Sequence, residues 1–253
     1  MTTIYSHTVG LYIEMLQKAT ATASAHAREM FDGIGKAQSQ HDPDLTDKAN
    51  AERRAKAVAA WREVGGQRGA DLRKDHARAR DYLLEAATAN TRLPEDAVTI
   101  MLATQKWQGI ERLVAAGATL RDTIATTTDV PTLLAVAEFG PAFAAASSYR
   151  EPHAQERIGN AFDGAQHDPT AGGAWVQRAV WARLAEVTPD ENLRTLLAGA
   201  LNAQQQYDAA EPWFDVSDSM ASGRGGDMLG ASIASHVATA GGAYAAAPEA
   251  PAA

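Results

Sequence analysis

Apolar residues recur along this chain at alternating steps of three and four, the spacing that lines one face of an α-helix. The first run takes in Tyr5, Val9, Tyr12, Leu16, Ala19, Ala23, His26 and Met30. Its seam begins aromatic and ends small, whereas a two-stranded coiled coil prefers Leu or β-branched residues, so the alanine half predicts an antiparallel hairpin of close helices. Gly33 and Gly35 are expected to end that helix, and Thr46 or Asp47 to cap the next, beyond a His41-Asp42-Pro43 loop. From Thr46 to Asn90 a charged, alanine-rich segment carries Leu72, His76, Ala79, Leu83, Ala86 and Asn90 on one narrow stripe. Gly65, Gly66 and Gly69 predict a kink or break in it. They do not read as a phosphate loop, because they follow a helix and lack the Gly-Lys-Ser/Thr ending.

Pro94, Glu95 and Asp96 mark another helix start, followed by Ile100, Ala103, Trp107, Ile110 and Val114 on one face. Met101, Leu102 and Leu113 widen that face and make the helix core-like. Asp129 and Pro131 open a helix through Leu133, Leu134, Val136 and Ala137, which Gly140 and Pro141 should stop or kink. Helices are also expected at about 152–162 and from Trp175 to Val187, the latter with Val176, Val180, Leu184 and Val187 on one side. Thr188-Pro189-Asp190-Glu191 reads as a capping box with Thr188 at the cap, opening a helix through Leu193, Leu197, Ala200, Gln204 and Tyr207. Strand signals are nearly absent, so the expected class is all-α: a helical hairpin or coiled-coil-like arm over 1–92, a smaller helical bundle over 93–214, and a tail over 215–253. That tail is rich in Gly, Ala and Ser and is expected to stay disordered unless captured. Met228, Leu229, Ile233 and Val237 within it form a candidate docking element.

Composition sharpens the helical reading. The 253 residues include 55 Ala but only 43 Leu, Ile, Val and Phe together. That is a thin supply for a dense core, and Ala, the strongest helix former, points to closely packed helices completed by association. The net charge of −8 is unevenly spread. Between Lys48 and Arg80 ten cations face four acids, a local excess able to meet nucleic acid or an acidic surface. Arg73, Lys74, Arg78 and Arg80 are the candidate nucleic-acid contacts, although interleaved Asp71, Asp75 and Asp81 argue for a solvated, salt-bridged face. With no Cys there is no disulfide, thiolate metal site or cysteine nucleophile. No signal peptide or membrane-length apolar run is read, so a soluble, cytoplasmic protein without a membrane partner is expected.

Catalytic motifs are missing: no Gly-x-Ser-x-Gly elbow, His-Glu-x-x-His helix or dinucleotide fingerprint occurs. The pairs His41-Asp42 and His167-Asp168 are ordinary metal-ligand types, yet Asp-Pro follows each and reads as turn chemistry. They also belong to a faint internal echo, Phe31-Asp32-Gly33 and Phe162-Asp163-Gly164 each preceding a Gln-His-Asp-Pro. No catalytic, cofactor or metal residue is assigned, and no enzyme activity is expected.

The alanine-rich helices, the acidic second half, the tail and the Thr132-Leu133-Leu134-x-Val136-x-Glu138-Phe139-Gly140-Pro141 stretch resemble, in texture, small helical proteins of the capsid-assembly module of actinobacterial tailed phages. That resemblance implies non-catalytic scaffolding or head-accessory work by self-association, in host cytoplasm or virion. A scaffold usually ends in a basic docking helix, and this C-terminus is not basic. The expected partners are a second copy or another structural protein, through Tyr5, Val9, Tyr12, Leu16, Leu72, His76 and Leu83. Nucleic-acid association through the 48–80 cations is the alternative, and an uncharacterised helical enzyme the further one.

Overall fold

The computed structural model describes the backbone of residues 2–148 and 171–246 and the side chains of 7–146 and 173–240. Every element among them is a helix: α1 (Thr2–Gln17), α2 (Ala19–Ser39), α3 (Asp47–Thr91), α4 (Ala97–Ala115), α5 (Leu120–Thr126), α6 (Val130–Ser148), α7 (Ala171–Val187), α8 (Glu191–Ala221) and α9 (Met228–Ala246). The all-α class is as the periodicity indicated. The helix expected at 152–162 lies outside the described residues. The boundary that composition draws at 214 falls inside α8, and 228–246 form α9.

The chain divides into two compact units, residues 1–83 with 202–253, and residues 84–201. In the first, α1 and α2 run in succession antiparallel to α3 with a constant register: Tyr12 of α1 meets Tyr82 edge-on at 4.8 Å, His26 of α2 reaches Gly65, and Arg68 pairs with Glu29. Each step forward on one helix is matched by a step back on the other. The turn is fixed by Asn50, buried, whose amide accepts from the Asp42 N–H and donates to the Asp42 and Leu45 carbonyls. Thr46 caps α3 by accepting from the Ala49 N–H.

The glycines read as breaks do something else. α2 passes Gly33 and Gly35 without stopping, and α3 is continuous through Gly65, Gly66 and Gly69. A Cβ on Gly33 would stand 2.6 Å from the Trp61 ring, one on Gly65 2.8 Å from Met30, and one on Gly66 2.8 Å from the Ala221 methyl. These residues permit close helix approach, and the packing gained outweighs about 1 kcal/mol of lost helix propensity at each. Against them α8 lays Ala210, Trp213, Phe214, Val216 and Met220, closing a core with Ala19, Ala23, Ala27 and Met30, to which α9 adds Ala231.

In the second unit Val176, Val180 and Leu184 of α7 are fully buried, the face expected from their spacing. Trp181 Nε1 donates to Thr91 Oγ1 at 3.1 Å, and Arg183 Nε to the Thr127 carbonyl at 2.8 Å. α6 runs through Gly140 and Pro141 instead of stopping; a Cβ at Gly140 would meet Val176 at 2.8 Å, and the Pro141 carbonyl lies 2.7 Å from where a Gly173 Cβ would sit. Two helix starts differ from expectation. Asp190, not Thr188, caps α8, accepting from the Asn192 and Leu193 N–H groups. Between α4 and α5, Gly117 at φ 103° ends the helix, with the Ala118 N–H bonded to the Leu113 carbonyl, and Thr119 with Asp122 opens the next.

Because Gly65 and Gly35 sit in opposite surroundings, one substitution should have opposite signs at the two. Gly65→Ala overpacks the buried Met30 contact and should cost about 1–3 kcal/mol. Gly35→Ala, whose Cβ would meet nothing within 4 Å, should stabilise by about 0.5–1 kcal/mol. Urea unfolding midpoints of the two variants check both signs.

Candidate interaction surfaces

The residues expected to face a partner are largely consumed within the chain. Val9, Leu16, His76 and Leu83 are each no more than 3% exposed. Tyr12 is half-buried against Tyr82, and Leu72 packs on the core. The Tyr5 side chain lies outside the described residues. The seams close on α2, α3 and α8, because those helices supply the second apolar face that one narrow stripe requires.

The cationic segment is divided in the same way. Arg73 forks to Asp215 and to Asp218 (2.7 Å) and lies over the Phe214 ring, so burial, which disfavours its charge, is outweighed by two carboxylates. Arg80 stands 4.3 Å over the Tyr207 ring and pairs with Asp81 at 2.7 Å. Lys74 and Arg78 are exposed. Of four candidate nucleic-acid contacts, two are therefore turned to joining α3 to α8, which leaves a smaller cationic surface than the sequence advertises.

Apolar side chains do reach the surface, on helices where the periodicity hid the fact. On α4, Ala103, Trp107 and Ile110 are buried, whereas Val98, Ile100, Met101, Leu102 and Leu113 are 44–62% exposed. On α9 the amphipathicity is inverted. Its small Ala231 and Ser235 face inward while Leu229, Ile233 and Val237 are 73%, 58% and 62% exposed. No Asp, Glu, Lys or Arg occurs in α9. The wide apolar count of α4 suggested a broad core face, and only coordinates separate one wide face from two.

The grooves found along the α1–α2–α3 hairpin are open and of mixed charge, one lined by Arg28, Glu29, Asp32, Lys36 and Trp61. Among the described residues no three His, Cys, Asp or Glu side chains are grouped to hold a metal. Asp42 instead pairs with Arg53 at 2.9 Å, and His167 and Asp168 lie outside the described residues. No described helix is long and apolar enough to cross a membrane. No protein-family model, curated protein or solved structure matches the chain.

His26 is a buried titratable group between α2 and α3, where its ring lies against Gly65 and Gly69. Its Nε2–H donates to the Gly65 carbonyl at 3.0 Å, and its buried Nδ1 has no partner among the described residues. Burial lowers its pKa below 6.5; the Gly65 bond and Glu29 oppose that shift and Arg68 adds to it. The folded chain thus binds this proton less tightly than the unfolded chain does. Stability should be unaffected by His26 above pH 6.5, fall as pH drops through 6.5 to the depressed folded value, and level off below it. Urea midpoints between pH 7.5 and 5 should show this decline, and His26→Gln should remove its share. Asp96, held below 3.8 by its hydrogen bonds to Thr99, and Asp129, held below 3.8 by Lys106 and Thr132, act only in more acidic solution.

Proposed function

We propose that this chain is a non-enzymatic assembly protein that works by helix-face contact with another copy or another structural protein. The observation that carries the reading is the distribution of exposed oil. Of the 13 large apolar side chains exposed among the described residues, eight stand on just two helices, five on α4 and three on α9. Scattered single exposures are ordinary, whereas apolar side chains gathered on one face mark association. The texture shared with capsid-assembly proteins of actinobacterial tailed phages supports placing that work in virion building, as scaffold or head accessory, in host cytoplasm or in the particle. The C-terminal helix gives that placement a form suited to this chain, since α9 offers an uncharged apolar stripe where a scaffold would offer a basic docking helix.

Nucleic-acid association through the basic segment remains the rival reading, and the engagement of Arg73 and Arg80 with α8 weighs against it. A salt-dependent shift of labelled duplex that disappears in an Arg73, Lys74, Arg78 and Arg80 quadruple alanine variant would favour that rival.

Light scattering over a concentration series tests the leading reading. The mass should rise above the single-chain value, either alone or on adding the coat or structural protein encoded nearby. Replacing Leu229, Ile233 and Val237 by Ser should weaken association while leaving helical content and unfolding midpoint nearly unchanged, since all three are exposed. A monodisperse monomer at every concentration that binds no such protein would overturn it.

A further inference from the structure

We propose that the groove between α1 and α3 at His76 receives an arginine side chain of a partner protein, a contact separate from the α4 and α9 faces. Leu11, Met15 and Leu72 supply its apolar wall, and Asp75 and His76 its polar groups, around a space of about 320 Å³. His76 is 3% exposed and still lines this groove. Its ring stands 5.7 Å from that of Phe214, and its Nδ1–H donates to the Leu72 carbonyl at 2.6 Å. A carbonyl only accepts, so in the neutral ring Nδ1 carries the proton and Nε2 keeps a lone pair.

That lone pair has no hydrogen-bond partner among the described residues, yet Nε2 is not one of the polar atoms closed off from solvent. The small part of His76 that solvent reaches lies in the groove, so Nε2 opens there. A leucine or phenylalanine would pack on Phe214 equally well, and nothing described in the chain uses the acceptor. With its tautomer fixed by Leu72, the ring asks an occupant for an N–H or O–H donor.

Asp75 makes that donor a cation. Its carboxylate is exposed and enters no ion pair or hydrogen bond among the described residues, whereas Glu14 and Lys18, the other charges lining the groove, pair with each other at 2.5 Å. The charge left over in the lining is therefore negative. An ammonium and a guanidinium both answer it, and the wall favours the second. A guanidinium is weakly hydrated, so it gives up less to lie against Leu11, Met15 and Leu72, and its several N–H groups can serve Nε2 and a carboxylate together. Its aliphatic stem would cover Leu11, which is 51% exposed.

Titration of the full chain, its histidine rings labelled with nitrogen-15, tests this. N-acetylarginine amide should move the His76 Nε2 resonance, the lysine derivative should bind about threefold more weakly, and the citrulline derivative, equal in shape but uncharged, should not bind. Asp75→Asn should weaken binding about tenfold, and Lys18→Gln, which removes a competing cation and frees Glu14, should strengthen it about threefold. His76→Asn keeps an N–H for Leu72 but lacks Nε2, and should abolish binding; Asp75 and Lys18 are exposed, so their variants carry the test if that one does not fold. No movement of His76 up to about 50 mM arginine amide would overturn the site. Equal binding of citrulline would overturn the cation, and tighter binding of unblocked arginine would make the occupant a free amino acid instead of a protein side chain. The serine variant of Leu229, Ile233 and Val237 should titrate like the wild type, so this site and the α9 face fail separately.

Discussion

The distance between α2 and α3 governs the first unit. Where Gly33 faces Trp61 and Gly65 faces Met30 there is no room for a methyl group, and the helices are held apart by little more than backbone and one layer of side chains. Dispersion contacts grow steeply as such gaps close, so a chain poor in Leu and Phe can still gain cohesion from alanine and glycine. The approach also explains His26. Its ring is buried between the helices, where the Gly65 carbonyl is its one hydrogen-bond acceptor among the described residues.

The same shortage of large apolar residues explains how the third helix is attached. α8 brings Trp213 and Phe214 to a seam that is otherwise mostly alanine, then locks its direction with Asp215 and Asp218 on Arg73 and with Tyr207 under Arg80. These cations lie two helical turns apart on α3. Their charge is spent on orientation, which a smooth alanine surface cannot provide because it offers few knobs to fix a register. A basic run in a sequence is thus not a basic surface until its neighbours are known.

How much was legible follows from this. Helix content and the buried faces of α2 and α7 were readable, since Ala19, Ala23, His26, Val176, Val180 and Leu184 repeat at helical spacing and all are buried. The role of the glycines was not. Local propensity treats Gly65 and Gly69 as breakers, and only the facing residues, Met30 and His26, turn them into contact points. Pro141 failed as a stop for a similar reason, because α6 packs on α7 through Gly140 and Gly173. The start at Asp190 was off by two residues, within the ordinary latitude of helix ends. Gly117, followed by Thr119 and Asp122, was a readable stop-and-start signal that a continuous apolar count across α4 obscured.

Several residues expected at a partner interface are instead buried within the chain, for a reason that keeps the logic of the expectation. A regular, narrow stripe is what a chain uses when the partner helix is its own, because intramolecular pairing tolerates modest contact area per turn at high effective concentration. Val9, Leu16 and Leu83 are spent in that way. What remains for a separate molecule is the apolar surface that the internal pairs cannot reach, and it falls where the periodicity is broadened or inverted. On α4 the extra residues Met101, Leu102 and Leu113 cannot turn inward while Trp107 and Ile110 do, since a helix buries about one side at a time. On α9 the inward face accepts only small residues, so Leu229, Ile233 and Val237 are driven out. Excess breadth and reversed polarity, rather than a clean heptad, are the marks by which an outward-facing helix of this kind is read.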